Sequence, residues 1–502
     1  MELQDHHLRV KDIGIGTYRE NIVFMRSDCA ICRSEGFKAL TRLIVSHNGK
    51  SIVATLNVVK SGILKINEVG LSIEALRRLG VSEGERISIR HLEPVDSLRL
   101  VRAKMYRNEL KESEYMEIVS DIVAGKYSNI EIAAFITACA GDNLKLPEII
   151  GLTKAMVSTG LKLDWGKDRL ILDKHCVGGL PGNRTTPIVV SILASAGLTI
   201  PKTSSKAITS PAGTADMMQT ITNVDLDLQA LRKVVEKENG CLAWGGAVDL
   251  SPADDILISV ERALDVDSIG QMIASVLSKK AAAGSSHVLI DMPVGPTAKV
   301  RNAKDAEYLA SLFQAVAQSI GLKVKVLISD GTQPIGVGIG PALEAFDVLS
   351  VLRREKGAPQ DLRERSLEIA SSLMQLTGKW NEESSRTEAV RILDSGQAEE
   401  KFVAICNAQG AFKEPKFAKF RHDQISEVSG VVKTLDNRKL SRIAKLAGAP
   451  ESPSAGLSFF APVGKKIEKG EVLFSVFAES SGELEYAKEY LNSVDGLIDW
   501  ER

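Results

Sequence analysis

Over residues 1–95 apolar and polar positions alternate in short runs, as in His7-Leu8-Arg9-Val10, Leu43-Ile44-Val45 and Ile52-Val53-Ala54-Thr55-Leu56, with glycines and charges between them. A period of two belongs to strands with one buried face, so this stretch is expected to form a small β-rich domain with one or two helices. From residue 96 the period lengthens. Residues 115–123, 130–140 and 146–159 carry helical spacing, and Gly125, Gly141 and Gly160 follow as stop signals. Residues 96–165 therefore read as a helical domain.

Beyond residue 168 short apolar runs alternate with helical ones. Leu170-Ile171-Leu172, Val288-Leu289-Ile290-Asp291 and Val324-Lys325-Val326-Leu327-Ile328 suit buried parallel strands; residues 186–196, 228–237, 306–321 and 340–353 suit helices. Such alternation predicts an α/β sheet with crossover connections over residues 166–249 and 283–415. Residues 416–502 return to β character, with strands expected at Ser429-Gly430-Val431-Val432 and 471–476, and turns at Asp436-Asn437-Arg438 and Val463-Gly464-Lys465-Lys466. The fold class is α/β with added β-rich N-terminal and α+β C-terminal parts.

Length and composition narrow the picture. At 502 residues several domains are expected. Lys+Arg 63 against Asp+Glu 64 gives a net charge of -1, without the basic excess of a dedicated nucleic-acid binder. Any anion site must then be local. No apolar run reaches the length of a membrane span, and Met1-Glu2-Leu3-Gln4-Asp5-His6-His7 does not read as a secretory signal. Six cysteines in so long a chain do not suggest a disulfide framework, so a reducing cytoplasm is the expected home. Cys29-Ala30-Ile31-Cys32 lacks the second ligand pair that zinc wants, and no metal is expected there. The segment 462–470 resembles the turn of a biotinyl/lipoyl-type barrel without its modified lysine, and reads as structural.

The chemistry concentrates in Asp173-Lys174-His175-Cys176-Val177-Gly178-Gly179-Leu180-Pro181-Gly182-Asn183-Arg184-Thr185-Thr186, between an apolar strand and an apolar helix. Glycines let backbone N–H groups approach an anion with no Cβ in the way. A helix N-terminus adds unpaired donors and the positive end of its dipole. Lys174 would add a full charge, Gly178 and Gly179 backbone donors, and Thr185 and Thr186 hydroxyls. The spacing matches neither the Walker loop nor the dinucleotide fingerprint; a tight strand–helix turn is the plain alternative. A second hydroxyl-rich loop, residues 203–216, would face the same crevice at the strand ends.

These segments, with Ser251-Pro252-Ala253-Asp254-Asp255, Asp267-Ser268, Ala274-Ser275-Val276-Leu277-Ser278-Lys279-Lys280 and Gln333-Pro334-Ile335-Gly336, resemble the thymidine/pyrimidine-nucleoside phosphorylase family. The likeness spans almost the whole chain and is closest to the branch that includes archaeal AMP phosphorylases. It implies a nucleoside phosphorylase/phosphoribosyltransferase-like fold, in which the helical domain gains an insert at residues 250–282, and a homodimer or larger homo-oligomer. It implies phosphate contacts at Lys174, Cys176, Thr186, Ser204 and Thr214, with a thiol at Cys176 where the family has a serine. Base contacts fall on Ser275 and Lys279, four apart on one helix face. The AMP phosphorylase branch implies a proton donor at Asp267 and nucleotide contacts at Gly179, Ser205, Lys206, Ala207, Ile208, Thr209, Ser210, Thr214, Ser275 and Lys299. His175 is a further catalytic candidate. Without the resemblance Asp267 would read as a helix cap and Lys279 as a solvated lysine.

The reaction so implied is phosphorolysis of an N-glycosidic bond, of thymidine first and of AMP or another nucleotide as the alternative. Inorganic phosphate is the co-substrate, with no other cofactor and no metal. Partners are then small molecules, not a nucleic-acid polymer or a membrane. The rival readings are an anthranilate phosphoribosyltransferase-like enzyme and a non-catalytic nucleotide sensor.

Overall fold

The alternating N-terminal runs become six strands, β1 (His7–Asp12), β2 (Ile22–Arg26), β3 (Arg42–His47), β4 (Lys50–Val59), β5 (Glu68–Leu71) and β6 (Arg86–His91), joined by α1 (Ala30–Glu35) and α2 (Ile73–Leu79). They close into a barrel in the order β1-β5-β2-β4-β3-β6. The period of two sends Leu8, Val10, Leu43, Val45, Ile87 and Ile89 inward and leaves His7 and Arg9 exposed; closure leaves no free sheet edge. Cys29 sits at the start of α1, where its sulfur accepts the Cys32 N–H at 3.2 Å, and both thiols lie in the barrel core. Three helices follow: α3 (Leu98–Met105), α4 (Glu112–Val123) and α5 (Asn129–Ala138).

This computed structural model describes residues 7–17, 20–166, 169–207, 210–248, 250–264, 266 and 268–501. Among them no helix is long and apolar enough to cross a membrane. The contacts separate one unit, residues 1–139 with 256–264, from a second, residues 140–255 with 265–502.

The second unit opens with α6 (Leu146–Ser158). Then come β7 (Leu172–Cys176), α7 (Thr185–Ser195), β8 (Ile200–Ser204), α8 (Thr214–Gln219), α9 (Leu228–Glu238), β9 (Gly240–Trp244), α10 (Gly245–Val248), the start of α11 (Pro252–Leu264) and α12 (Ile269–Ala282). After these follow β10 (His287–Val294), α13 (Ala303–Ser319), β11 (Lys323–Asp330), β12 (Gly338–Ile339), α14 (Pro341–Leu352), α15 (Gln360–Leu376), α16 (Glu382–Asp394) and α17 (Gln397–Gln409). Strands β11-β10-β7 form a parallel sheet, β8 and β9 a parallel pair, and a parallel bridge from Ile171 to Thr199 links the two. Helix α6 packs on α12. Helix α7 is buried at every residue from 185 to 194, as befits a helix that is apolar on most of its circumference, and α15 and α17 pack on it. Its run Ile188-Val189-Val190 has weak helix propensity, which this burial overrides.

Two expectations need correction. The run 170–172 reads as a strand that ends before the loop, yet β7 continues through Asp173, Lys174, His175 and Cys176. Pairing from His287↔Leu172 to Asp291↔Cys176 carries the ladder on. Charged residues hid that strand, because their burial depends on partners distant in sequence. Asp436-Asn437-Arg438 reads as a turn, but Asp436 accepts the Arg438 and Lys439 N–H groups at 2.9 and 3.2 Å and caps α18 (Asn437–Leu446). That helix belongs to a C-terminal part with β13 (Phe420–Ile425), β14 (Gly430–Leu435), β15 (Gly456–Phe459), β16 (Lys466–Ile467), β17 (Val472–Ala478), α19 (Ser481–Ser493) and β18 (Ile498–Glu501). Three of its strands join β12 in the sheet β12-β15-β17-β13, and the others form the sheet β16-β14-β18.

Candidate active site

Because successive side chains of a strand face opposite ways, β7 sorts its four polar residues. Lys174 and Cys176 take one side, Asp173 and His175 the other. On the first side the buried Lys174 ammonium donates to the Thr185 hydroxyl at the head of α7. Burial pushes the Lys174 ammonium down from its ordinary range, and Asp291 opposes the shift. Asn183 donates both to Cys176 Sγ at 3.3 Å and to Asp291 Oδ2 at 3.1 Å. Asp291, fully buried at the β10 position paired with Cys176, also accepts from Ser329 at 2.7 Å and lies 3.4 Å from Arg365. Burial, then the Asp291 charge, pushes the Cys176 thiol up to about 12, so it stays protonated.

The second loop is tied to the first by Arg184. Its guanidinium donates to Thr214 Oγ1 at 3.0 Å and to the Ala212 carbonyl at 3.0 Å, and pairs with the buried Glu344 at 2.5 Å. Asp216 folds the same loop by accepting from Ala207 N at 2.6 Å and Gly213 N at 2.8 Å. Lys206 lies over the Trp244 ring, 4.3 Å from its centre, and Ser210 donates to the Ala212 carbonyl. Ser204 Oγ, at the end of β8, is buried without a hydrogen-bond partner among the described residues.

On the other side of β7, buried Asp173 meets two buried lysines: Lys280 Nζ at 2.8 Å, off the hydrogen-bond direction, and Lys202 Nζ at 3.4 Å. Burial brings Lys280 down to about 7 against the pull of Asp173. Burial, and then Lys280, Lys202, Lys279 and Lys174, hold the His175 imidazole well below its ordinary value, so the ring is neutral near pH 7. A neutral ring donates one N–H and accepts at its other nitrogen. Lys279 Nζ meets Ser275 Oγ at 3.1 Å, as their spacing of four predicts, and Asp254 Oδ2 at 2.8 Å. Asp254 is 2% exposed, and its second oxygen has no partner among the described residues.

Gly178 and Gly179 both turn through left-handed backbone, at φ +97 and +82. Gly179 lies against the Lys299 backbone, where a Cβ would stand 2.5 Å from Lys299 N. Thr186 is buried in the first turn of α7, and Ser205 accepts the Ala215 N–H at 3.4 Å. Asp267, Ile208 and Thr209 lie outside the described residues. Sequence reasoning did not single out Asn183, Arg184, Asp254, Lys280, Asp291 or Glu344. For Lys280 a signal existed: adjacent lysines in a helix with no other charged residue point in different directions, and one of them here faces the core.

The strand ends thus gather an ammonium, hydroxyls and helix-terminal N–H groups suited to an oxyanion, beside a neutral imidazole and a serine–lysine pair suited to a polar ring. Residues 98–160 match the helical bundle domain of a glycosyl transferase family and residues 168–399 its α/β domain. Residues 431–494 match the pyrimidine nucleoside phosphorylase C-terminal domain. The class is therefore a pentosyltransferase enzyme built from a helical bundle, an α/β domain and that C-terminal domain.

Similar proteins agree. One from Legionella pneumophila (strain Paris), named "Putative thymidine phosphorylase", is 51% identical over 493 residues, 98% of this chain and 95% of the relative. One of the same name from Polaromonas sp. (strain JS666) is 51% identical over 491 residues, 98% of this chain and 96% of the relative. The chain belongs to the thymidine/pyrimidine-nucleoside phosphorylase family. Among solved structures, anthranilate phosphoribosyltransferase from Thermus thermophilus covers 62% of this chain and 99% of its own, with a TM-score of 0.53 at 17% identity. That likeness is one of fold.

Proposed function

We propose that the enzyme cleaves thymidine with inorganic phosphate, giving thymine and 2-deoxyribose 1-phosphate. The observation that supports this reading best is the sorting by β7: Lys174 stands among anion donors on one side, and His175 stands with the lysines around Asp173 on the other. In this reading phosphate is held by Lys174, by the N–H groups of Gly178 and Gly179, and by Cys176, Thr185, Thr186, Ser204 and Thr214. It attacks the anomeric carbon as the base departs, and the sugar gains oxocarbenium character. Holding the nucleophile in line is a positioning effect. Lys279, Ser275 and the neutral His175 N–H stabilise the charge that grows on the base, and Asp267 supplies its proton. Phosphate is the co-substrate, and the reaction as written calls on no further cofactor. A homodimer or larger homo-oligomer is part of the same reading, which light scattering on the purified protein checks.

One observation favours a second substrate. Gly179 packs on the Lys299 backbone, which sets that lysine beside the phosphate loop. A 5′-phosphorylated nucleotide could use it, giving free base and a ribose 1,5-bisphosphate. A panel of thymidine, uridine, cytidine, AMP, CMP and UMP, each with phosphate, decides by release of free base. Release from thymidine is expected; release from nucleotides alone overturns the first reading. Lys174→Ala should mainly damage phosphate use, and unchanged phosphorolysis in that variant contradicts the loop assignment.

A further inference from the structure

We infer that Arg184 is a positioning residue that turns the Thr214 hydroxyl proton toward the phosphate. The inference rests on the reading of Thr214 as a phosphate contact. Arg184 precedes α7, with its side chain only 12% exposed. Its three bonded nitrogens are each committed: Nε to Glu344 Oε2, one terminal nitrogen to Thr214 Oγ1, the other to the Ala212 carbonyl. Glu344, 1% exposed on α14, is itself fixed by the Gly340 N–H at 3.4 Å. The guanidinium is thus held between two elements and cannot swing away.

A guanidinium has donors only, and a threonine hydroxyl has one proton and two lone pairs. With Arg184 filling one lone pair, the Thr214 proton cannot point back along that bond. Among the described residues no protein acceptor takes it, and Thr214 is partly exposed at the start of α8. The proton is therefore free to be donated outward, where an anion would stand. Without Arg184 the hydroxyl is free to rotate, and the anion itself must order it before it donates, which weakens the contact. Lys174 treats Thr185 in the same way, since an ammonium is also a pure donor. The anion would then meet hydroxyls already committed to donating.

The test is a double-mutant cycle on the full chain, read by calorimetric titration with inorganic phosphate and by KM for phosphate against kcat. Arg184→Met and Thr214→Val should each weaken phosphate binding by about tenfold, as expected for one hydrogen bond to a charged group. Arg184→Met in the Thr214→Val background should add no more than about twofold. KM for the nucleoside should stay unchanged, a split that general loosening of the loop would not give. Arg184→Met/Glu344→Gln removes both charges and serves if Arg184→Met alone fails to fold. Independent, multiplying effects overturn the positioning role while leaving Thr214 as a contact. Unchanged phosphate affinity in Thr214→Val removes the contact itself, and the inference with it. Because titration needs no turnover, an inactive wild type would overturn the proposed function and leave this test standing.

Discussion

Alanine at Gly179 and at Gly178 should have different consequences, although the two residues are adjacent and share a backbone conformation. Their φ values are +82 and +97. An L residue in that region costs roughly 1–2 kcal/mol, so both variants should lose some stability. Only Gly179 faces a neighbour. A Cβ there would stand 2.5 Å from Lys299 N, 3.1 Å from Lys299 Cβ and 3.2 Å from Ala298 C, whereas a Cβ on Gly178 meets nothing within 4 Å. The close atoms are mostly backbone, so no side chain can swing away, and the loop must retreat by roughly 1 Å to restore contact distance. A displacement of that size in a positioning element costs about a hundredfold in rate. Steady-state phosphorolysis across phosphate concentrations should show Gly179→Ala losing about a hundredfold in kcat/KM for phosphate, and Gly178→Ala about tenfold or less. Thermal unfolding checks that both variants are folded. A Gly179→Ala enzyme within about threefold of Gly178→Ala would refute the argument that this close approach holds the loop.

The other predictions concern charge. His175 should stay neutral by NMR through neutral pH; because its folded value is depressed, its contribution to stability is present above the ordinary imidazole value and is lost as pH falls below it. A ring that titrates at or above that value contradicts the lysine surround. Burial pushes the Asp347 carboxyl up to about 7, even though the Val337 and Gly338 N–H groups each donate to it at 2.7 Å. The folded protein therefore keeps a proton that the unfolded chain releases, and stability falls as pH rises from about 4 to 7. Asp347→Asn should flatten that fall, by on the order of 4 kcal/mol at most, in urea midpoints measured against pH. Asp254→Ala should raise KM for the nucleoside about tenfold through loss of the Lys279 partner, with KM for phosphate unchanged; an equal rise in both contradicts a base-side role.

Much of the architecture could be read from the chain because it rests on local pattern. The period of two in β1, β3 and β4 marked the barrel strands, and glycines after α4, α5 and α6 marked the helix ends. An apolar run over residues 187–194, interrupted only by Ser191, marked the central helix α7. Within the candidate site, Ser275 and Lys279 needed only the helical repeat of four to be paired.

What stayed hidden was long-range in origin. A strand was expected before the 203–216 loop, but the bounds of β8 stayed unmarked because Lys202 and Thr203 interrupt it, and β9 went unnoticed because the run 240–244 is short and flanked by glycine. The strand through Asp173 to Cys176 depends on β10, more than a hundred residues later, for its hydrogen bonds, and on Lys202 and Lys280 to make a buried carboxylate tolerable. Arg184 looked like one more polar residue of a glycine loop until Glu344 and Thr214 met it from two other elements. By itself the sequence determined the strands and helices that carry a clear hydrophobic period and which residue types could meet an anion, since periodicity and side-chain chemistry are local properties. Only the tertiary structure decided which face of β7 each residue takes and which buried charges find partners. Those outcomes depend on distances between residues far apart in the chain, and such distances set the free energy of a buried charge.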